Sequence, residues 1–189
     1  MAISRMRAMI TSQQLRDGVR NNGLFIANAV LFQITWFACV IGGAAGVPQW
    51  GFAGVLALLV CSWFSGQFRR DLSLLALLGV TGFFLDTAWI ALGILDFGEG
   101  ALAPSWIVAL WLGFSLTVNH SLGWLRQRPL LAGVLTATAA PITYLAGARL
   151  GAVEILDPWG LLLLAGTWGL MFMLLFASIA VPQQTETAR

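Results

Sequence analysis

Seven side chains stand where polar chemistry is expensive: Asn28, Gln33, Asp86, Asn119, His120, Tyr144 and Arg149 lie inside, or at the edge of, long apolar stretches. A polar group in lipid must be paired or face a cavity. Asp86 is the most informative of them. An Asp at the centre of a membrane helix costs about 2.5–3.5 kcal/mol on the insertion scale. It must be protonated, paired or wet. It is either a hydrogen-bonded tie to Gln33 or Tyr144, or a proton-linked or ligand-binding carboxyl.

The Asn119-His120-Ser121 run comes next. At helical spacing Trp111, Ser115, Asn119 and Gly123 form one stripe, which directs Asn119 to a semi-polar interface where it can meet Asn28. His120 is rotated about 100° away and differs in depth from Asp86 by roughly 12 Å. No direct pair between the two is expected. His120 is either an interfacial residue or part of a site. Pro141 frees a carbonyl inside its helix, so a kink is expected just before Thr143 and Tyr144. Thr136, Thr138 and Thr143 are the candidates to satisfy the freed group. A kink, a Tyr and an Asp at similar depth outline a pocket. Arg149 and Glu154 would form its lid or a surface ion pair.

Other chemistries are excluded. One His and two Cys cannot build the common zinc sites or a two-histidine haem site. There is no Walker loop, HExxH or GxSxG. No metal and no cofactor are expected. Cys39 and Cys61 differ in depth by roughly 13 Å, too far for a disulfide.

The elements that position these residues follow from composition. The chain has 189 residues, 59% hydrophobic and 10% charged, with a net charge of +2. Its mean hydropathy is +0.84, and every basic residue is Arg. Soluble domains carry about 25% charged residues, so a soluble enzyme, a disordered chain and a nucleic-acid-binding module are all disfavoured. An all-α polytopic membrane bundle remains.

Six transmembrane spans are predicted, over 23–46, 48–66, 72–95, 104–125, 129–150 and 158–181. A basic cytoplasmic segment (1–22) precedes the transmembrane domain (23–182), and a short cytoplasmic tail (183–189) follows it. Residues 1–22 read either as an interfacial helix with Ile3, Met6 and Ile10 on one side or as a disordered tail. Arg5, Arg7, Arg16, Arg20, Arg69, Arg70, Arg126 and Arg128 fall on one side of the spans. Asp96, Glu99, Arg149, Glu154 and Asp157 fall on the other. Positive loops stay inside, so both chain ends are expected in the cytoplasm.

Trp50, Trp106, Trp159, Trp63 and Trp124 read as interfacial belts, and Trp36, Trp89, Trp111 and Trp168 as packing between helices. Gly42/Gly46 and Gly147/Gly151 match GxxxG, and Gly79, Gly82, Asp86 and Gly93 share a face of the third span. These are expected contact surfaces, chiefly inside the bundle. A faint internal echo pairs Trp36…Gly43 with Tyr144…Gly151.

The Asn119-His120-Ser121-Leu-Gly-Trp124-Leu segment, the segment from Pro141 through Tyr144 and Gly147 to Gly151-Ala152, Asp86, and Asn28/Gln33/Trp36-Phe37 together resemble a bacterial inner-membrane family, domain of unknown function twenty-eight seventy-eight. The resemblance covers about residues 22–182 and implies an envelope or lipid-linked role. It implies no catalytic residue.

Three functions fit these residues. The leading one is a small bundle that binds or moves a lipid or other hydrophobic molecule in a polar pocket lined by Asp86, Gln33, Tyr144, Asn28, Asn119 and His120. The second is an accessory or anchor subunit of an envelope or lipid-modifying enzyme complex. The third is an intramembrane lipid enzyme using Asp86 or His120 as acid or base. The expected partners are membrane lipid and either another protein or a second copy of the chain.

Overall fold

Among the described residues, apolar runs punctuated by proline and glycine fold into six α-helices. In the computed structural model they are α1 (Ala2–Ala44), α2 (Gln49–Ser65), α3 (Phe68–Ala91), α4 (Ser105–Val118), α5 (Pro129–Arg149) and α6 (Gly160–Ser178). A 3₁₀ helix, Gly123–Gln127, joins α4 to α5. The structure describes residues 2–98 and 100–180, with side chains from residue 22 onward. The side chains of Ile3, Met6, Ile10 and the first four arginines, the whole of Glu99, and the tail at 183–189 lie outside the described residues.

Four stretches are long and apolar enough to cross a membrane: Asn22–Ala44, Phe68–Ala91, Pro129–Arg149 and Gly160–Ser178. Their outward faces carry large apolar side chains such as Ile26, Ile34, Phe84, Leu145, Leu162 and Leu170, all exposed. Continuous apolar surface of this kind is what acyl chains cover. The other two helices are shorter, at 17 and 14 residues for α2 and α4.

Side-chain contacts make the order antiparallel. Gly54 packs on Thr35 and Gly51 on Cys39 between α2 and α1, while Gly82 packs on Trp111 and Gly79 on Leu112 between α3 and α4. α4 is central. It packs on α1, α2 and α3, and its ring of Phe114 meets Phe172 of α6 at 5.1 Å. Trp111 meets Trp168 at 4.5 Å.

At one end a two-residue antiparallel ladder pairs β1 (Leu95–Asp96) with β2 (Glu154–Ile155). Nothing in the sequence pattern predicts it. This ladder end carries Asp96, Glu154 and Asp157, and the opposite end carries Arg69, Arg70, Arg126 and Arg128.

The structure corrects four expectations. The fourth span was expected to be helical to Leu125, but α4 stops at Val118 and the chain turns through Asn119-His120-Ser121. Polar side chains at the break take over the satisfaction of the backbone and of one another. The GxxxG pairs are helix stops rather than helix–helix faces. Val47 N–H returns to Gly42 O at 2.7 Å and Ala152 N–H to Gly147 O at 3.0 Å, with Gly46 and Gly151 at φ of 69° and 80°. α3 ends the same way, through Ile94 N–H to Trp89 O and Gly93 at φ 67°. These are Schellman stops, which need a glycine in the left-handed region. They align Gly46 with Gly151, so the internal echo that set Gly43 against Gly151 is out of register by three residues. Trp106 is buried against Phe97 at 5.6 Å and belongs to no interfacial belt. Trp50, Trp63, Trp124 and Trp159 are exposed, and Trp36, Trp89, Trp111 and Trp168 are buried, as expected.

A close approach of one helix to the backbone of another involves residues the sequence pattern did not single out. A Cβ on Gly133 of α5 would lie 2.9 Å from the Gly169 carbonyl and 3.0 Å from Met173 Cβ of α6. Gly133→Leu should separate α5 from α6 and destabilise the fold by about 1–3 kcal/mol. Thermal unfolding of the detergent-solubilised variant measures this, and an unchanged midpoint would contradict the packing described.

Candidate functional site

The buried polar residues divide into two clusters and do not line one pocket. The first lies at the arginine-rich end. Asp71, in the first turn of α3, is fully buried. Its Oδ1 accepts from Asn119 Nδ2 at 2.6 Å, and its Oδ2 accepts from Ser62 Oγ at 2.5 Å and from His120 Nε2 at 2.7 Å. Arg126 donates to Asn119 Oδ1. Its Nε is buried with no partner among the described residues. One turn away, Asn28 of α1 donates to Leu116 O at 3.0 Å and accepts from Ser121 Oγ at 2.7 Å and Ser121 N–H at 3.2 Å. The expected Asn119–Asn28 contact is absent; Ser121 reaches Asn28 instead.

The break in α4 is what makes this cluster possible. Three consecutive residues point in different directions from a turn, so Asn119 and His120 fasten to α3 and Ser121 to α1. A continuous helix would carry successive side chains around its axis by about 100° each. Ser62 and His120 both bond the carboxylate rather than each other. The arrangement is therefore a carboxylate held by three donors and not a Ser–His–Asp relay.

The second cluster lies toward the ladder end. Asp86 of α3 is fully buried. It accepts from Trp111 Nε1 at 2.7 Å and from the Tyr144 hydroxyl. Two helices, α4 and α5, are thus tied to α3. Gly82, one turn before Asp86, admits the indole: a Cβ there would lie 2.2 Å from Trp111. The tie between Asp86 and Tyr144 is one the sequence anticipated.

Beside Trp111 and Tyr144 lies a cleft of about 250 Å³. Phe32, Trp36 and Val40 of α1 form one wall, Trp106, Ile107, Leu110, Trp111 and Phe114 of α4 the floor, and α5 and α6 the other wall. α1 packs along α2 and α4, and α5 packs along α6. The cleft occupies the space left where α1 does not pack along α5 or α6.

Gln33 and Arg149 join neither cluster. Gln33 is exposed on α1 and Arg149 is exposed at the end of α5. No ion pair links Arg149 to Glu154, since the one ion pair among the described residues joins His120 to Asp71. Helix α5 continues through Pro141. The hydroxyls of Thr136, Thr138 and Thr143 bond the carbonyls of Ala132, Val134 and Ala140. None of them reaches Ala137, whose helical donor Pro141 lacks. Cys39 and Cys61 are free thiols. Among the described residues no group of His, Cys, Asp and Glu could hold a metal ion.

Sequence reasoning missed Asp71, Ser62 and Arg126. Asp71 follows Arg69-Arg70 and reads as one more loop charge. The available signal was depth, because His120 and the start of the third span both fall near the inner boundary.

A bundle of apolar-surfaced helices with its polar groups turned inward defines a membrane-spanning helical protein. The model of the family described as "Protein of unknown function (DUF2878)" matches residues 25–174, and the chain belongs to that family. The match takes in both clusters and the cleft. No curated protein and no solved structure matches the chain.

Removing the Asp71 carboxylate strands three donors, Ser62 buried and Asn119 and His120 half-buried. Asp71→Ala should destabilise the protein by about 3–5 kcal/mol, and Asp71→Asn should recover part of that loss. Midpoints of thermal unfolding in detergent decide it. An Asp71→Ala protein as stable as the parent would mean that the cluster does not hold α2, α3 and α4 together.

Proposed function

We propose that the protein binds the hydrocarbon chain of a lipid or similar amphiphile in the cleft between α1 and the α5–α6 pair. The observation that carries this reading is the cleft itself, about 250 Å³ in volume, walled by aromatic and aliphatic side chains. Small-molecule sites run to about 300–1,000 Å³, so this one suits a section of a single chain rather than a whole two-chained lipid. Binding is favoured over movement through the bundle, because the two buried carboxylates and the side chains that bond them form two separate clusters rather than one continuous path. Asp86 and His120 are each engaged by structural partners, Asp86 by Trp111 and Tyr144 and His120 by Asp71, which favours binding over acid–base chemistry at either residue.

In this reading the chain crosses a bacterial inner membrane six times, with the arginine-rich end in the cytoplasm. Charge asymmetry supports the orientation. Helix α4 is only about 21 Å long, short of the roughly 30 Å hydrocarbon core. The turn through Asn119-His120-Ser121 and the 3₁₀ helix complete the crossing. Non-helical backbone is tolerated at that depth where protein surrounds it, and Ser121 and Leu125 are buried.

Two measurements test these proposals. Ala140 lines the cleft, so Ala140→Phe should fill it and reduce by about tenfold the fraction of protein that carries a lipid in native mass spectrometry. A folded variant that retains the parent's lipid occupancy would remove the cleft as the binding site. For orientation, single cysteines at Gly98 and Gly66, in a chain freed of Cys39 and Cys61, should react with an impermeant thiol reagent from opposite sides of the membrane. Labelling of both from one side would refute the crossing pattern.

A further inference from the structure

The turn from α4 into α5 encloses a depression of about 410 Å³ at the arginine-rich end. Gly123, Trp124, Arg126, Gln127 and Arg128 line it. Charge segregation explains why arginine stands at this end. It does not explain how these two arginines are held. Arg69 and Arg70 are exposed, as solvated loop charges are. Arg126 is half-buried, its guanidinium donates to Asn119 Oδ1, and its Nε is buried with no partner among the described residues. The Asp71 carboxylate behind Asn119 is spent on its own three donors. Among the described residues the one ion pair is His120–Asp71, so neither Arg126 nor Arg128 meets a carboxylate there.

A partly buried cation with no counter-ion has given up water and gained no opposite charge. A guanidinium spreads its charge over a planar fork of five N–H donors, and the bond to Asn119 uses one of them. Arg128 is held as well. Its Cζ lies 6.0 Å from the centroid of the Trp124 ring, within reach of a cation–π contact. Trp124 is exposed, and an indole at a membrane boundary sits at the level of the headgroups. Two cations that no described carboxylate neutralises therefore line one concavity at that level.

We propose that this depression binds a phosphate group, that of an acidic lipid headgroup or of a free phosphate, on Arg126 and Arg128. The guanidinium fork matches the spacing of phosphate oxygens. Basic pockets at the cytoplasmic surface of membrane proteins hold acidic headgroups by the same chemistry. The anion supplies Arg126 with the opposite charge that the described side chains do not. The site shares no lining residue with the aromatic cleft and does not depend on a chain being bound there.

The full chain in maltoside detergent is titrated calorimetrically with dihexanoyl phosphatidylglycerol, dihexanoyl phosphatidylcholine and inorganic phosphate. The phosphatidylglycerol should bind about tenfold more tightly than the phosphatidylcholine, whose choline the arginines repel. Arg126→Gln and Arg128→Gln should each weaken phosphatidylglycerol binding about fivefold. The first of these keeps an N–H for Asn119 and loses only the charge. Arg69→Gln combined with Arg70→Gln removes charge from the same end but outside the depression, and should change binding less than about twofold. If Arg126→Gln does not fold, Arg128→Gln set against the Arg69/Arg70 pair carries the test. Inorganic phosphate that fails to displace the lipid marks a headgroup site. Inorganic phosphate that displaces it, with the same dependence on both arginines, marks a free-phosphate site. Equal affinity for the two lipids, or an equal loss from the Arg69/Arg70 pair, overturns the proposal. Binding of neither phosphatidylglycerol nor inorganic phosphate overturns it too.

Discussion

The carboxylate of Asp71 is the interaction on which the arginine-rich half of this bundle depends. Inside a membrane the hydrophobic effect cannot hold helices together, because lipid tails are as apolar as leucine. Packing and hydrogen bonds must do it. A single buried carboxylate that accepts from Ser62, Asn119 and His120 fastens α2, α3 and the end of α4 at one point. Asn28 and Ser121 add α1 at the next turn. Four of the six helices are thereby registered in depth against one another.

The second carboxylate solves the same problem differently. Asp86 also accepts from two helices, but its donors are the edges of two aromatic rings, Trp111 and Tyr144. Those two donors come from α4 and α5, so one carboxylate ties both helices to α3. The cleft lies on the other side of the same two rings, between α1 and the α5–α6 pair. The donors that satisfy Asp86 are also part of the cleft wall. A structural hydrogen bond and the chemical character of a cavity are thus one arrangement.

Much of the fold was legible because membrane physics is severe. Apolar stretches and the segregation of arginine located the helices and distinguished the two ends. Depth left Gln33 and Tyr144 as the two possible partners of Asp86, and the structure takes Tyr144. The rest depended on facts that spacing does not carry. GxxxG at Gly42/Gly46 and Gly147/Gly151 has the spacing of a packing face and also that of a Schellman stop, and the left-handed φ of the second glycine decides between them. Gln33 and Asn28 are both polar residues of α1, five positions apart. Only the packing of α4 against α1 buries one and exposes the other. Asp71 was hidden by its basic neighbours, since a charge next to charges looks solvated until the returning chain is known to cover it.

The short α4 reconciles these features. As the central helix it meets α1, α2, α3 and, through its aromatic rings, α6. It therefore has little lipid-facing surface to maintain across the full membrane thickness. Its last turn can be given up without exposing backbone to acyl chains. What replaces that turn is polar: an Asn, a His and a Ser whose side chains complete the Asp71 and Asn28 clusters. Extending the helix would restore a few backbone hydrogen bonds and would carry these three side chains out of reach of their partners. The break in α4 and the burial of Asp71 therefore belong together: the turn brings Asn119 and His120 to the carboxylate, and the carboxylate satisfies them.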